Sequence, residues 1–327
     1  MNKNDKKSER TSTKGLVDRK MITEWSVYKE TTLMDFLLFK MGESKRKTVK
    51  SLLSHHQVAV GGVPVSQFDF RLYPEDVVTV SKRPIAKREV RKLPILFEDD
   101  DILALDKPSG LLSVATEREK GRTAYRLVSD YLVAKDRKAR AFVVHRLDED
   151  TSGVLVFAKN IETREALQHA WQSVVTKRYY YAIVEGQMEE KEATLKDYLA
   201  QDNFQLVYVT RNKEKGKLAI THYKTIAERG SFSLLDIALD SGRKNQIRVQ
   251  LGAKGHYIIG DDKYGDFAVN KTVKSLTGEE GQFLHAAELR FGNVGGPLAK
   301  LRGQTVSAPI PPKTKAAIDA LVSSSSL

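Results

Sequence analysis

Short apolar runs separated by polar turn residues fill most of the chain after about residue 93. Five of them have the length of a strand and cover residues 102–105, 154–158, 179–184, 221–227 and 232–239. Runs of this kind predict buried strands. Helical spacing is rarer and is clearest at Leu167, Trp171 and Val174. Strands with scattered helices predict an α+β domain built on a mixed, mostly antiparallel sheet, which we place at residues 93–312.

A smaller α+β pattern precedes this domain. Apolar residues fall at helical spacing in two consecutive segments, namely Leu33, Phe36, Leu37 and Met41, then Val49, Leu52 and Leu53. Two alternating runs then flank Gly61 and Gly62, which is a strong hairpin signal, and a further strand is expected at 77–80. Helix, basic helix, hairpin and strand in this order resemble the S4-type RNA-binding modules. We therefore place an S4-like domain at residues 27–82.

The resemblance implies that the second helix of this module presents basic residues to RNA phosphates. The residues concerned are Lys45, Arg46, Lys47 and Lys50. Point charges of this kind add affinity but little sequence information. The sequence leaves open the alternative that they form a helix face that is only solvated.

Three segments lack a periodic apolar pattern. Residues 1–26 mix Lys, Ser, Asn and Thr and predict a flexible basic arm. Residues 83–92 contain Pro84 and several basic residues and predict a linker. Residues 313–327 include four consecutive serines and predict an unstructured C-terminal tail. We find no internal repeat, P-loop or nucleophile-elbow motif.

The charge and the missing cysteine narrow the function classes. The chain has 327 residues and a formal net charge of +12, which suits a polyanionic partner such as RNA. With no cysteine there is no disulfide, no thiolate nucleophile and no Cys-ligated zinc, which excludes thiolate-dependent pyrimidine methyltransferases and Cys-x-x-Cys deaminases. No apolar run approaches the ~20 residues of a membrane span, and no secretory signal is visible. We therefore expect a cytoplasmic protein.

The most informative stretch is a carboxylate-rich loop at residues 145–153. It lies between two apolar runs, 142–144 and 154–158, that predict buried strands. A polar loop held by rigid strands suits catalytic groups. Asp, Ser and Gly are also ordinary turn residues, so composition alone leaves a simple turn as the alternative.

Motifs in the order and spacing of one family extend over residues 93–312. They cover residues 106–112, 145–153, 177–186, 241–249 and 255–265, with a weaker match at 283–286. On these motifs the chain resembles the RluA-type RNA pseudouridine synthases. The resemblance implies isomerisation of specific uridines to pseudouridine in ribosomal or transfer RNA. It implies neither cofactor nor metal, since no group is imported or oxidised, and neither a membrane nor an obligatory protein partner.

The motif match implies three catalytic residues. Asp148 corresponds to the essential aspartate of the family, which acts at the sugar C1′ or, alternatively, removes a sugar proton in an elimination. Tyr180 corresponds to the tyrosine that stacks on the uracil, and Arg248 to the arginine that pairs with the aspartate. Ile247 and Leu251, four residues apart, predict a helix that carries Arg248.

Arg146 corresponds to the family arginine that fills the gap left by a flipped nucleotide, a task that suits a planar cation. A fixed ion pair with a nearby carboxylate is the alternative. We interpret Asp150 as structural and His145 as a hydrogen-bonding anchor. Residues expected to support the site are Arg243, Gln246, Thr151 and Gly153.

The chain departs from the family pattern near Arg248. Many members carry Thr-His where this chain has Lys244 and Asn245, and His where it has Gln250. These departures concern local RNA contacts or loop geometry. Two other functions fit parts of the sequence: a catalytically silent RNA-binding or ribosome-assembly protein, and a carbohydrate hydrolase. The intact catalytic set argues against the first. The positive charge and the lack of a second well-spaced carboxylate argue against the second.

Overall fold

The computed structural model describes residues 22–42, 46–74, 76–85, 93–116, 122–136 and 138–322. The chain divides into two compact units, Met1–Glu89 and Val90–Leu327. The break falls within residues 83–92, and the domain boundaries inferred from sequence stay predictions. Among the helices in the described ranges, none combines the length and the apolar character needed to cross a bilayer.

The first unit combines two helices with two small antiparallel sheets. Its helices are α1 (Leu33–Lys40) and α2 (Arg46–Ser54). Its strands are β1 (Ile22–Ser26), β2 (Thr31–Thr32), β3 (Val58–Val60), β4 (Val63–Pro64), β5 (Arg71–Leu72) and β6 (Val77–Ser81). The larger sheet has the order β1-β6-β3-β4, and β2 pairs with β5. The two helices, the hairpin and the strand at 77–80 are confirmed. Gly61 and Gly62 both have positive φ, as a type I′ turn requires.

The flexible arm predicted through residue 26 is corrected at its end. Residues 22–26 form β1, which pairs with β6 from Ile22 opposite Ser81 to Ser26 opposite Val77. This strand lies at the sheet edge and is half-exposed. Trp25 packs against the core of this unit, but Ile22 is exposed, so no alternating apolar pattern marks the strand. Backbone pairing with β6 extends over all five of its residues. Residues 1–21 lie outside the described residues.

The second unit is built on one large sheet. Its helices are α3 (Ala124–Lys135), α4 (Ile161–Val174), α5 (Gln246–Gly252), α6 (Phe267–Thr277) and α7 (Pro312–Leu321), with a 3₁₀ helix at Gly296–Leu301. Its strands are β7 (Ile95–Glu98), β8 (Ile102–Lys107), β9 (Phe142–Val143), β10 (Ser152–Ala158), β11 (Val175–Glu185), β12 (Glu192–Gln201), β13 (Val207–Thr210), β14 (Lys217–Arg229), β15 (Phe232–Leu239), β16 (Leu284–Phe291) and β17 (Thr305–Ser307).

The main path of the sheet is β13-β12-β14-β15-β11-β16-β10-β8-β7, with β17 beside β16 and β9 beside β10. All these pairs are antiparallel except β10–β16, which is parallel. The predicted α+β class and mostly antiparallel sheet are confirmed.

Strand β10 is buried on both faces, which explains its unbroken apolar sequence. Val154 and Val156 belong to a core cluster that includes residues of α4 and the 3₁₀ helix. Leu155 and Phe157 belong to a second cluster that includes residues of α3. Because successive side chains point to opposite faces of a strand, α4 and α3 cover the two sides of β10. The loop before β10 is thus attached to the centre of the core.

The unstructured tail predicted at 313–327 is corrected for residues 313–322. Pro312–Leu321 form α7, and Ala317, Leu321 and Val322 pack in a cluster with Phe283. Only a few apolar residues of this short helix face the core, and they precede a run of serines, so the local pattern is weak. Residues 323–327 lie outside the described residues.

Gly153 is fixed by a close approach between β10 and β16. Its φ is +108°, and an added Cβ would lie 2.1 Å from the carbonyl oxygen of Ala286. On the other edge of β16, Ala286 also pairs with Tyr180 of β11. Gly153, Ala286 and Tyr180 therefore form one row across three strands, which sets the start of β10 relative to β11.

We expect Gly153→Ala to lower the free energy of unfolding by about 3 kcal/mol or more, since backbone strain and overlap with Ala286 add. Gly230→Ala is the matched control. Gly230 also has positive φ but open space around its Cβ position, so it should lose only about 1–2 kcal/mol. Urea denaturation measures both variants. Equal losses would contradict the close approach as the cause.

Candidate active site

The carboxylate-rich loop connects β9 to β10, which pair antiparallel with Phe157 opposite Val143. Within the loop, the N–H of Thr151 donates to the carbonyl of Asp148 at 3.2 Å and closes a turn. At its end, the Ser152 hydroxyl lies 2.9 Å from Nδ1 of the buried His285. The turn predicted from Asp, Ser and Gly is therefore present, and it is anchored in the core.

The backbone on both sides of Asp148 is held by residues of the preceding motif. The Ser113 hydroxyl donates to the carbonyl of Leu147 at 2.7 Å and accepts from its N–H at 3.1 Å. The carbonyl of Glu149 accepts from Lys107 Nζ at 2.7 Å and from the N–H of Gly110 at 3.0 Å. Four hydrogen bonds thus fix the backbone of the two residues on either side of the aspartate.

Lys107 is the largest fully buried side chain of this region and was not singled out from sequence. Its ammonium group donates to three carbonyls, those of Pro108, Leu111 and Glu149. Burial lowers the pKa of Lys107 to about 8, against the opposing effect of the nearby loop carboxylates. The lysine acts as a clamp that ties the loop to the end of β8. Lys107 lies within the motif at 106–112, but its burial was not expected, because lysine is rarely buried.

His145 anchors the start of the loop, in agreement with its interpretation. Its Nε2 accepts from the N–H of Val156 at 2.9 Å, and its ring stacks on Trp171 with centroids 4.5 Å apart. Burial lowers the pKa of His145 to about 3, and the charge of Arg178 acts in the same direction. The ring is therefore neutral at physiological pH and is already used as an acceptor.

Asp148 and Arg248 form an ion pair between two distant segments of the chain. Arg248 Nη1 donates to Asp148 Oδ2 at 3.3 Å, and the Asp148 side chain remains 28% exposed. Arg248 lies on α5, whose residues Ile247 and Leu251 are buried as the spacing predicts. The structure thus brings together two residues that are a hundred positions apart in the chain.

The main partner of Arg248 is Asp261, which sequence reasoning did not assign. Arg248 Nε and Nη2 donate to the two carboxylate oxygens of Asp261, both at 2.7 Å. Asp261 is almost completely buried and also accepts from the N–H groups of Lys263 and Tyr264 and from the Gln282 side chain. These partners lower the pKa of Asp261 despite its burial. The bidentate pair leaves only Nη1 of Arg248 to reach Asp148.

Asn245 accounts for one departure from the family pattern. It has φ +55°, a left-handed conformation that asparagine adopts more readily than most residues. Its side-chain oxygen accepts from Arg248 Nη1 at 3.3 Å, and its amide donates to the Tyr264 hydroxyl at 2.9 Å. The Gln250 side chain bridges Thr221 and Asp197. Both departures are therefore part of the local packing around α5.

Tyr180 lines the same cleft as Asp148 and Arg248. Of the three adjacent tyrosines, all of them described, it is the one that lines the cleft. Burial raises the pKa of Tyr180 to about 12, and the negative charge of Asp148 adds to this effect while Arg178 opposes it. The hydroxyl is therefore protonated at physiological pH.

The cleft itself has a volume of about 1030 Å³. Asp148, Tyr180 and Arg248 all line it, together with Arg146. Arg146 is exposed, and among the described residues it has neither a hydrogen bond nor an ion pair. The alternative of a fixed ion pair for Arg146 is not found in the described ranges. In the same ranges, no three His, Asp or Glu residues lie close enough to hold a metal ion.

Of the four supporting residues, Arg243, Gln246 and Thr151 line the cleft. Gln246 joins α5 to β14 by donating to the carbonyl of Ile220 at 3.0 Å. Thr151 donates to the Gln282 side chain at 3.3 Å. Gly153, described above, sets the start of β10. Their contacts hold the loop and α5 in place.

In the first unit, Arg46, Lys47 and Lys50 are exposed on α2, while Val49 and Leu53 are buried. Lys45 lies outside the described residues. The Lys50 ammonium is 5.9 Å from the ring centre of Phe68, which is itself 54% exposed. The helix thus has one apolar face and one basic face, as its pattern predicts.

Comparison with known proteins identifies the family. Residues 101–253 match the family model described as RNA pseudouridylate synthase. An uncharacterized RNA pseudouridine synthase of Bacillus subtilis, YlyB, is 31% identical over 282 residues, which cover 83% of this chain and 88% of that protein. The chain belongs to the RNA pseudouridylate synthase family.

Other members align over a smaller part of their length. The Bacillus subtilis protein YhcT is 32% identical over 60% of this chain, and the ribosomal large subunit pseudouridine synthase D of Borreliella burgdorferi is 32% identical over 64%. The chain spans 66% and 63% of their lengths, just under two thirds. A solved human structure, RNA pseudouridylate synthase domain containing 4, shares the fold with a TM-score of 0.57 at 19% identity. The alignment covers 69% of this chain and 92% of that chain.

We expect Asp261→Asn to reduce the free energy of unfolding by about 3–5 kcal/mol, because it leaves the buried charge of Arg248 without its main partner. Asp262→Asn is the matched control, since Asp262 is the adjacent and exposed aspartate. It should change stability by less than about 0.5 kcal/mol. Denaturation at neutral pH measures both. A small loss in both variants would contradict the structural role of the Asp261–Arg248 pair.

Proposed function

We propose that the chain isomerises specific uridines to pseudouridine in structured RNA. The observation that carries this proposal is the meeting of Asp148, Arg248 and Tyr180 in one cleft of a member of the pseudouridylate synthase family. Two of its relatives are named for the large ribosomal subunit. Ribosomal RNA is therefore the first substrate to test, with transfer RNA as the second.

The reaction rearranges bonds without net addition or loss of atoms. The N1–C1′ glycosidic bond breaks, the uracil turns within the site, and a C5–C1′ bond forms. The C5 proton is lost and N1 gains a proton, so the product is an isomer of the substrate. No oxidant and no imported group takes part. We therefore propose that the reaction needs no cofactor. We also propose that it takes place in the cytoplasm and needs no obligatory protein partner.

Asp148 is proposed as the group that acts on the sugar. Its carboxylate attacks C1′ to give a covalent intermediate, as in retaining glycosidases, or it removes a sugar proton to give a glycal. Arg248 supports either route, because its Nη1 donates to Asp148 Oδ2 and so helps to orient the carboxylate. Asp261 holds the guanidinium in place, so Asp148 receives a directed donor and not a mobile one.

The uracil is proposed to stack on Tyr180, with Arg146 in the space that the flipped nucleotide leaves. A target base inside a helix is out of reach of a carboxylate, so the nucleotide must leave the stack. Arg146 is exposed on the cleft wall two residues before Asp148. A planar cation at this position can stack and donate to the orphaned base. The protonated Tyr180 hydroxyl serves as a donor or relay near the C5 proton.

We expect Asp148→Asn to keep RNA affinity and to abolish isomerisation, because the amide neither attacks C1′ nor accepts a sugar proton. The measurement is tritium release from [5-³H]uridine in an unmodified large-subunit rRNA transcript, with transfer RNA transcripts in parallel. Asp150→Asn is the control, since Asp150 is exposed and does not line the cleft. Tritium release by Asp148→Asn at the wild-type rate would disprove the role of Asp148.

The basic face of α2 is proposed to bind RNA phosphates. Replacing Arg46, Lys47 and Lys50 with Gln should weaken binding of the same transcript. It should also reduce the slope of log affinity against log salt by about 2, because each lost phosphate contact contributes about 0.7–0.9 to the slope. The control neutralises three exposed lysines elsewhere, Lys254, Lys271 and Lys315. An equal change in both triple variants would show a general effect of charge and contradict a binding face on α2.

A further inference from the structure

A second buried arginine, Arg178, lines the cleft and has no role in the proposed reaction. It lies on β11 two residues before Tyr180, so both side chains are on the same face of the strand. Arg178 is only 8% exposed. The cleft residues His145 and Tyr180 both lie within its electrostatic influence.

The guanidinium of Arg178 is incompletely hydrogen-bonded. Its Nη2 donates to the carbonyl of Leu239 at 3.0 Å. Its Nε is buried and has no hydrogen-bond partner among the described residues. No carboxylate in the described ranges lies within 4.0 Å of its guanidinium. Arg248, by contrast, has a bidentate carboxylate partner at 2.7 Å.

An incompletely paired, buried guanidinium is costly in the free protein. The free energy needed to remove a cation from water is offset only when an anion and further hydrogen bonds replace the lost hydration. Consistent with this, burial lowers the pKa of Arg178, with Tyr180 and Asp240 opposing. The fold tolerates the cost at a position that faces the cleft, which indicates that an anion completes the site when substrate binds.

Gly242 leaves the approach to this guanidinium open. Gly242 is exposed and also lines the cleft. A Cβ at this position would lie 2.9 Å from Arg178 Nη1, closer than real side chains come to a neighbour. Its backbone does not have the positive φ that would by itself require glycine. A side chain at this position would displace the end of the Arg178 side chain, so glycine leaves the guanidinium in place beside the cleft.

We propose that Arg178 binds a backbone phosphate of the RNA strand that enters the cleft. The inference rests on the proposed RNA substrate. A phosphodiester is the anion that each nucleotide of such a strand carries, and a guanidinium fork matches two of its oxygens. Arg178 is then a positioning residue. It fixes the strand relative to Asp148 and Tyr180 and does not touch the reacting atoms.

The first test uses stability. Arg178→Gln should melt no lower than the wild-type protein, because a neutral side chain removes the unpaired buried charge. Inorganic phosphate, compared with chloride at equal ionic strength, should raise the melting temperature of the wild type more than that of Arg178→Gln. Arg302→Gln is the matched control, since Arg302 also donates to a backbone carbonyl, that of Val294, but lies outside the cleft. It should respond to phosphate like the wild type.

The second test uses RNA. A fluorescein-labelled 12-nucleotide oligouridylate should bind Arg178→Gln with a slope of log affinity against log salt that is smaller by about 0.7, the value for one lost contact to a single strand. With the rRNA transcript, KM should rise about tenfold or more while kcat changes much less. Arg178→Lys keeps the charge and should restore the slope. Arg302→Gln should match the wild type.

Two outcomes would overturn the inference. One is an unchanged salt slope and KM in Arg178→Gln. The other is a lower melting temperature of Arg178→Gln, with kcat and KM impaired only in proportion to lost folded protein, which would assign a purely structural role. The salt slope needs no turnover. It therefore separates this inference from the proposed activity, which would fail if the wild type bound RNA but released no tritium.

Discussion

The ion pair between Arg248 and Asp261 is the interaction on which the site depends. Two carboxylate oxygens at 2.7 Å hold the guanidinium in a single orientation, and the same carboxylate accepts from two backbone N–H groups and a glutamine. A buried carboxylate that is this fully satisfied stays charged. Because one side of the fork is occupied, the remaining Nη1 points at Asp148. The pair therefore converts a flexible arginine into a fixed donor.

The aspartate is fixed by a separate set of contacts. The N–H and the carbonyl of Leu147 both bond to the Ser113 hydroxyl. The carbonyl of Glu149 accepts from the N–H of Gly110 and from the buried ammonium of Lys107. These contacts come from the last residue of β8 and the segment that follows it, whereas Arg248 comes from α5. The short distance between Asp148 and Arg248 thus results from two independently anchored pieces of backbone. Such support keeps catalytic geometry within narrow limits even though Asp148 itself remains partly exposed.

The sequence predicts the strands around the loop and the helix of Arg248, because the buried positions of these elements form recognisable apolar patterns. Val154 to Ala158 is apolar since α3 and α4 cover both faces of β10. It does not predict β1 at the sheet edge, because this strand pairs through its backbone and lacks an alternating apolar pattern. Motif resemblance points to Asp148, Tyr180 and Arg248. Asp261 lies within the motif at 255–265, but nothing in its local sequence shows that it pairs with an arginine of another segment. Lys107 and Arg178 are missed for a related reason: their types usually mark exposed positions.

Three of the four arginines that line the cleft, Arg248, Arg178 and Arg146, differ in how completely the protein satisfies their charge and hydrogen bonds. Arg248 has a full carboxylate partner, since its orientation must be set before substrate arrives. Arg178 has one carbonyl and an unused Nε, so it is held in place but its charge is not neutralised. Arg146 is exposed and unpaired among the described residues, which is compatible with the role proposed for it above. In the proposed reaction these three states suit three tasks, namely orienting Asp148, binding a phosphate and replacing a displaced base. A fully paired cation costs too much to redirect, and an unpaired one cannot orient a carboxylate.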